Sequence, residues 1–254
     1  MRQYMLFFFR TILLFSLTFM VVHADFNDGL AAAQAGDYTT AHNEWLPLAE
    51  QGDVNAQFYL GLLHSRQLID WASQEQAVKW YLLAANNDHV NAQFNLGIKY
   101  NKGVGVEQSA TEAFAWYFKA ANNGHPEAQF NVANMYRDGR GVEHSNEQAA
   151  TWYKASSINN LPQAQANLAL VLHLGIGIEK DLTMAYVWAI LASEADTRFI
   201  AIKELVAEEM SNDDKKIGDA APLWRLYKVG EPDLWKDHHR YLHELRAKEV
   251  ILSA

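Results

Sequence analysis

The chain has 254 residues, 50% of them apolar, no Cys, and 30 Asp+Glu against 21 Lys+Arg. That apolar share supports a packed core and excludes a chain kept disordered by its composition. The acidic excess argues against nonspecific nucleic-acid binding, which needs clustered cations against phosphates. The missing Cys excludes disulfides, thiolate metal sites and a lipidated Cys anchor.

At the N-terminus, Arg2 and Arg10 precede the apolar run Thr11 to Val22, and Val22-His23-Ala24 supplies the small-residue pattern that a signal peptidase prefers. Residues 1–24 therefore read as a cleaved export signal, with the mature chain starting at Asp25. The alternative is a retained anchor, but the run after Arg10 is short for a helix crossing a bilayer. Cleavage would leave 19 Lys+Arg against 30 Asp+Glu, a formal charge of −11, and no stable membrane insertion. A Gram-negative periplasm or the extracellular medium is the expected location.

From Asp25 the chain begins to repeat. Residues 25–55 hold a second-helix phrase, Ala41 to Ala49 with Trp45, behind a degenerate first helix around Leu30–Ala35. They are expected to act as a cap. The phrase Ala-Gln-Phe-x-Leu-Gly then starts at Ala56 and recurs in variants at Ala92, Ala128 and Ala164, each 36 residues after the last. Trp80, Trp116, Trp152 and Trp188 follow at one fixed register. A fixed period of this size marks a stacked array, in which each copy buries its apolar face against its neighbours.

Within the third copy, Ala128, Val132 and Met135–Tyr136 fall at helical spacing, and Asp138-Gly139-Arg140-Gly141 ends the segment. Ala149, Trp152–Tyr153 and Ser156 mark a second helix that ends near Asn159-Asn160. The closing register carries Gly52, Asp88, Gly124, Asn160 and Asp196, residue types that tolerate the left-handed conformation. The spacing thus predicts an all-α chain of helix pairs over 56–196. Residues 197–254 are expected to form a C-terminal helical cap, with helices near 197–210, 212–227 and 232–249. Ser211 and Asp233 are its candidate N-caps, and Pro222 interrupts the middle helix.

These residues resemble the Sel1-like repeat family, a relative of the tetratricopeptide repeat. The copy from Ala92 carries the resemblance most fully: Leu96-Gly97, Tyr100, Gly103-Val104-Gly105-Val106, Ala113, Trp116-Tyr117 and Lys119-Ala120-Ala121. The first copy departs from the pattern, with Gln67-Leu68-Ile69 in place of Gly-x-Gly, so its turn is expected to differ. The resemblance implies a right-handed α-solenoid of stacked antiparallel helix pairs, exported here, and a role in protein–protein interaction or scaffolding. Cys-rich members linked to β-lactam chemistry are a poor match for a chain with no Cys.

No motif points to catalysis, a cofactor or a metal. The Gly-x-Gly strings follow helices rather than strands, so they read as turns and not as phosphate cradles. His238, His239 and His243 on a tail helix lack the second His of a zinc-protease motif. The competing reading is a cell-envelope enzyme or enzyme-associated factor, acting on peptidoglycan or β-lactams, with its activity in the 197–254 tail.

The feature that points to binding is a polar ladder. Counting the starting Ala as position one, position four carries Tyr59, Asn95, Asn131 and Asn167, with Asn101, Lys102, Asn134, Arg137 and His173 nearby. By its resemblance to tetratricopeptide repeats, position four lines the concave face. Its amides there suit an unidentified protein or peptide partner. The alternative is that these Asn side chains satisfy neighbouring helices.

Overall fold

The computed structural model describes residues 25–212. The expected export signal (1–24) and the tail from 213 on, with Pro222, Asp233, His238, His239 and His243, lie outside the described residues. Before the first full copy, α1 (Phe26–Gln34) and α2 (Tyr38–Glu50) form a pair. Four further pairs follow: α3 (Val54–Ser65) with α4 (Gln74–Asn86), α5 (Val90–Lys102) with α6 (Ala110–Asn122), α7 (Pro126–Asp138) with α8 (Asn146–Ile158), and α9 (Pro162–Leu174) with α10 (Leu182–Ala195). A 3-10 turn, Thr197–Phe199, leads into α11 (Ile200–Glu208). Each helix packs on the next in series, so the described chain is an all-helical solenoid.

The second helices start where they do because an N-cap recurs at the repeat period. Ser73, Ser109, Ser145 and Asp181 each accept the backbone N–H three residues on, a contact worth about 1 kcal/mol per helix. The first helices of the last three copies end at Gly103, Gly139 and Gly175, all left-handed with φ of 64 to 69°. The second glycine of each turn has a different task. A Cβ on Gly105, Gly141 or Gly177 would strike the backbone carbonyl of Gln74, Ala110 or Asn146, which opens the second helix of the preceding copy. The Gly-x-Gly string is therefore half helix terminus and half seam between copies.

The first copy closes its turn by other means. In later copies the N-cap N–H of Ser109, Ser145 and Asp181 donates to the carbonyls of Tyr100, Tyr136 and Leu172 at 3.0 Å. In the first copy Ser73 donates instead to the Nδ1 of His64 at 3.2 Å, and Gln67 takes the positive φ, 55°. A histidine ring thus stands in for a carbonyl where Gly-x-Gly is missing.

One expectation gains detail and one needs correction. The segment before the first full copy, degenerate in its phrase, still forms a helix pair: α1 is capped by Asp25, and Trp45 anchors it through Nε1 donating to the Phe26 carbonyl at 3.2 Å. Gly29 permits this, since a Cβ there would overlap the Trp45 indole. The closing register fails at its last member. Gly52, Asp88, Gly124 and Asn160 have φ of 97, 60, 84 and 64°, but Asp196 is extended at −151°. Its carboxylate caps the 3-10 turn through the Arg198 N–H, which replaces the next repeat.

The core follows the small residues. Ala56, Ala92, Ala128 and Ala164 are fully buried, so helices approach closely at every copy. Trp116 packs into the cluster around Tyr81 and Leu96, and Trp152 joins the clusters on either side of it, so each indole links adjacent copies. Gly61 and Gly97 sit mid-helix because Tyr81 and Tyr117 lie flat against them; a Cβ at Gly61 would come within 2.6 Å of the Tyr81 ring. At the matching place in the third copy, Ala133 faces Tyr153 in one buried cluster.

Candidate functional site

The tyrosines that force those glycines organise the polar ladder. Tyr81, Tyr117 and Tyr153 are 36 residues apart, and their rings are buried. The Tyr153 hydroxyl donates to Asn134 Oδ1 at 2.7 Å and accepts from Arg137 Nη1 at 3.0 Å, and Asn167 of the following copy also meets it. That set fills one donor and two acceptor sites, the full capacity of a hydroxyl. The Tyr81 hydroxyl is met by Ser65 of its own copy and Asn95 of the next, with the Arg66 guanidinium close by. At Tyr117 the nearby cation is Arg140, which also reaches Asn101 Oδ1 at 3.4 Å.

Position four therefore serves the hydroxyl of the preceding copy's tyrosine, at Asn95 and Asn167, and Asn131 is half-buried in the same register. Burial pushes all three tyrosines above their usual range, Tyr117 to about 12. They are neutral hydrogen-bonding groups at physiological pH and do not act as bases. Lys99 lies beneath this row, buried, with its Nζ donating to Gln74 Oε1; burial and then the nearby Lys102 charge hold its pKa down.

The expected residues divide into three groups. Asn95, Asn134, Arg137 and Asn167 gather at tyrosine hydroxyls, and Asn101 joins them through Arg140. Lys102 is exposed. Tyr59 and His173 turn elsewhere. Tyr59 packs on Trp45 and Phe26, with ring centroids 4.9 and 5.6 Å away, and belongs to the first core cluster. His173 is buried, with Nε2 3.5 Å from Glu209, so it helps to hold the residue after α11 rather than facing a ligand.

Sequence reasoning missed a second ladder on the opposite edge. Gln57, Gln93, Gln129 and Gln165 stand at position two, and each Nε2 donates to the carbonyl eight residues earlier, at the end of the preceding second helix. Two of the acceptor oxygens are also filled: Asn123 Nδ2 donates to Gln93 Oε1 at 3.1 Å, and Asn159 Nδ2 donates to Gln129 Oε1 at 2.9 Å. The recurring Gln and the Asn 30 residues later were the available signal. A shallow groove of about 300 Å³ lies at this edge, lined by Asn86, Asp88, Lys119 and Asn122 among others. Among the described residues no cluster of three or more His, Asp or Glu side chains could hold a metal ion, and no helix is long and apolar enough to cross a membrane.

Comparison with known proteins agrees with this architecture. The Sel1 repeat model matches residues 54–89, 90–125, 126–160 and 162–196. The crystal structure of a Sel1 repeat protein from Oxalobacter formigenes superposes with a TM-score of 0.65 at 22% identity, covering 89% of this chain and all of that one. The c5321 protein, a protective antigen present in uropathogenic Escherichia coli strains and displaying an SLR fold, gives 0.50 at 22% identity, covering 84% of this chain and 59% of that one. No curated protein sequence matches the chain. With four matched repeats spanning more than half of its length, the chain belongs to the Sel1 repeat family.

Proposed function

We propose that this chain is an exported, non-catalytic scaffold that holds a protein or peptide on the face built by its first helices. Sel1 repeat proteins are generally protein–protein interaction scaffolds. The observation that carries the assignment to this face is the row of tyrosine hydroxyls, each with a cation beside it and, at Tyr81 and Tyr153, an amide from the next copy. An amide keeps donor and acceptor sites beyond one bond to a hydroxyl, so the row offers paired groups to a peptide backbone. Its hydroxyls are held protonated, which suits hydrogen bonding and not proton abstraction.

Export rests on residues 1–24, and it predicts that the protein recovered from its host begins at Asp25; an intact Met1 would contradict it. The binding face is tested by crosslinking with the protein as bait beside a variant carrying Asn95→Ala, Asn131→Ala and Arg137→Ala. A partner held by the first and lost by the second supports the assignment. A partner held equally by both removes it.

A further inference from the structure

The charge on the first-helix face runs against the charge of the chain. Residues 25–212 carry 22 Asp+Glu and 11 Lys+Arg. Yet α3, α5 and α9 contain no Asp or Glu at all. Arg66, Lys102, Arg137 and Arg140 all lie at the C-terminal ends of first helices or in the turn beyond, and all four are exposed. Among the described residues, the only carboxylate within ion-pair distance of any of them is Asp138, 2.7 Å from Arg137 and 3.9 Å from Arg140. Arg66 and Lys102 have no carboxylate partner there, and the buried Lys99 adds a further cation beneath them.

Cations at helix C-termini are favoured by the helix dipole, which explains one or two of them without a ligand. It does not explain why a guanidinium recurs within electrostatic reach of one buried tyrosine per copy: Arg66 at Tyr81, Arg140 at Tyr117 and Arg137, bonded at 3.0 Å, at Tyr153. Two of them come from the residue's own copy and one from the next, so the recurrence follows the place on the surface and not the place in the sequence. The Arg66 and Arg140 forks keep N–H groups for a carboxylate, whereas Arg137 spends its fork on Asp138 and Tyr153.

We propose that this row takes an extended acidic protein segment, its carboxylates on Arg66, Lys102 and Arg140 and its backbone amides on Asn95, Asn131 and Asn167. The inference rests on the reading of the first-helix face as the binding face and adds the chemical class of what binds there. Arg137, already paired with Asp138, positions Tyr153 rather than receiving a charge.

The test is selection of synthetic nine-residue peptides of random sequence on the purified protein, followed by anisotropy titration of the best binders at two salt concentrations. The expected result is enrichment in Asp and Glu, affinity that falls with salt, and at least a tenfold loss with Arg66→Gln, Lys102→Gln and Arg140→Gln combined. Arg66→Lys with Arg140→Lys, which keeps the charge, should retain most of the binding, and the melting temperature of each variant reports that it folds. Binders that are neutral or basic but are lost in the Asn95→Ala, Asn131→Ala variant would overturn the acidic class while leaving the face intact. No enrichment, or binders indifferent to both variant sets, would remove the face as well. Polyacrylate of matched length binding as tightly as the peptides would show charge alone at work and overturn recognition of a protein segment.

Discussion

The two edges of the solenoid carry polar ladders of the same period but opposite openness. On one edge, Gln93 and Gln129 each donate to a carbonyl of the preceding helix and accept from the Asn that closes the second helix of their own copy. Those amides are buried and spent on the fold. On the other edge, the Tyr81 and Tyr153 hydroxyls gather half-buried amides and exposed guanidiniums. Periodicity alone does not separate a structural ladder from a binding one. What separates them is whether each rung's hydrogen-bonding capacity closes within the chain.

Four variants sharpen that contrast. The largest effect belongs to the seam on which both ladders depend. Gly141→Ala forces a left-handed side chain against the Ala110 carbonyl and should cost about 2–5 kcal/mol in urea denaturation. A loss below about 0.5 kcal/mol, the range of an ordinary surface change, would mean that the copies do not pack as described. Next comes the closed ladder: Gln129→Ala removes two bonds, while the Ala121 carbonyl keeps the Gly124 N–H and the Asn159 amide keeps the Ala155 carbonyl, so it should cost about 1 kcal/mol, with peptide binding unchanged. The open ladder should behave in the reverse way. Arg66→Gln with Arg140→Gln should shift stability by no more than about 0.5 kcal/mol while removing binding, since exposed charges contribute little to folding. A large stability loss there, or unimpaired binding, would erase the distinction.

The smallest effect is a pH dependence at the start of the first helices. His89 and His125 cap α5 and α7 with Nδ1 accepting the N–H of Ala92 and Ala128 at 3.2 and 3.3 Å, and they stack on Phe58 and Phe94. Burial lowers both pKa values; Glu127, 3.3 Å from His125, opposes this, but Nδ1 is already occupied as an acceptor and burial prevails. With the folded pKa below the unfolded value of about 6.5, their stabilisation is complete above that pH and is lost as the pH falls below it. The melting temperature should drop between pH 7.5 and pH 5. His89→Asn with His125→Asn, which keeps caps that do not titrate, should flatten the slope.

Much of this was legible in the sequence because every copy solves the same packing problem. The buried alanines, the turn glycines and the Trp register recur without drift, so helix pairs and their boundaries could be read directly. The ends were less legible. The α1–α2 pair has a different phrase because Trp45 takes the place that Tyr81 and Tyr117 hold, under Gly29 instead of Gly61 or Gly97. At the other end, Asp196 keeps the residue type of its register but changes role when no further copy follows. The candidate site was half legible. The Asn ladder was visible, but its tyrosine partners, Tyr117 and Tyr153 among them, read only as part of the second-helix pattern, because a ring's packing role is periodic and its hydroxyl's direction is not. The Gln ladder escaped notice because its partners lie eight residues back and 30 ahead, across two copies.

The central claim is that the tyrosine edge meets the partner and the glutamine edge does not. Photocrosslinking side chains placed singly at Lys102 and at Asn122, both exposed and at opposite ends of the α5–α6 pair, test it in the cells that make the protein. Adducts at 102 and none at 122 are predicted. Adducts at 122 and none at 102 would place the partner over the groove beside Gln93 and contradict the account.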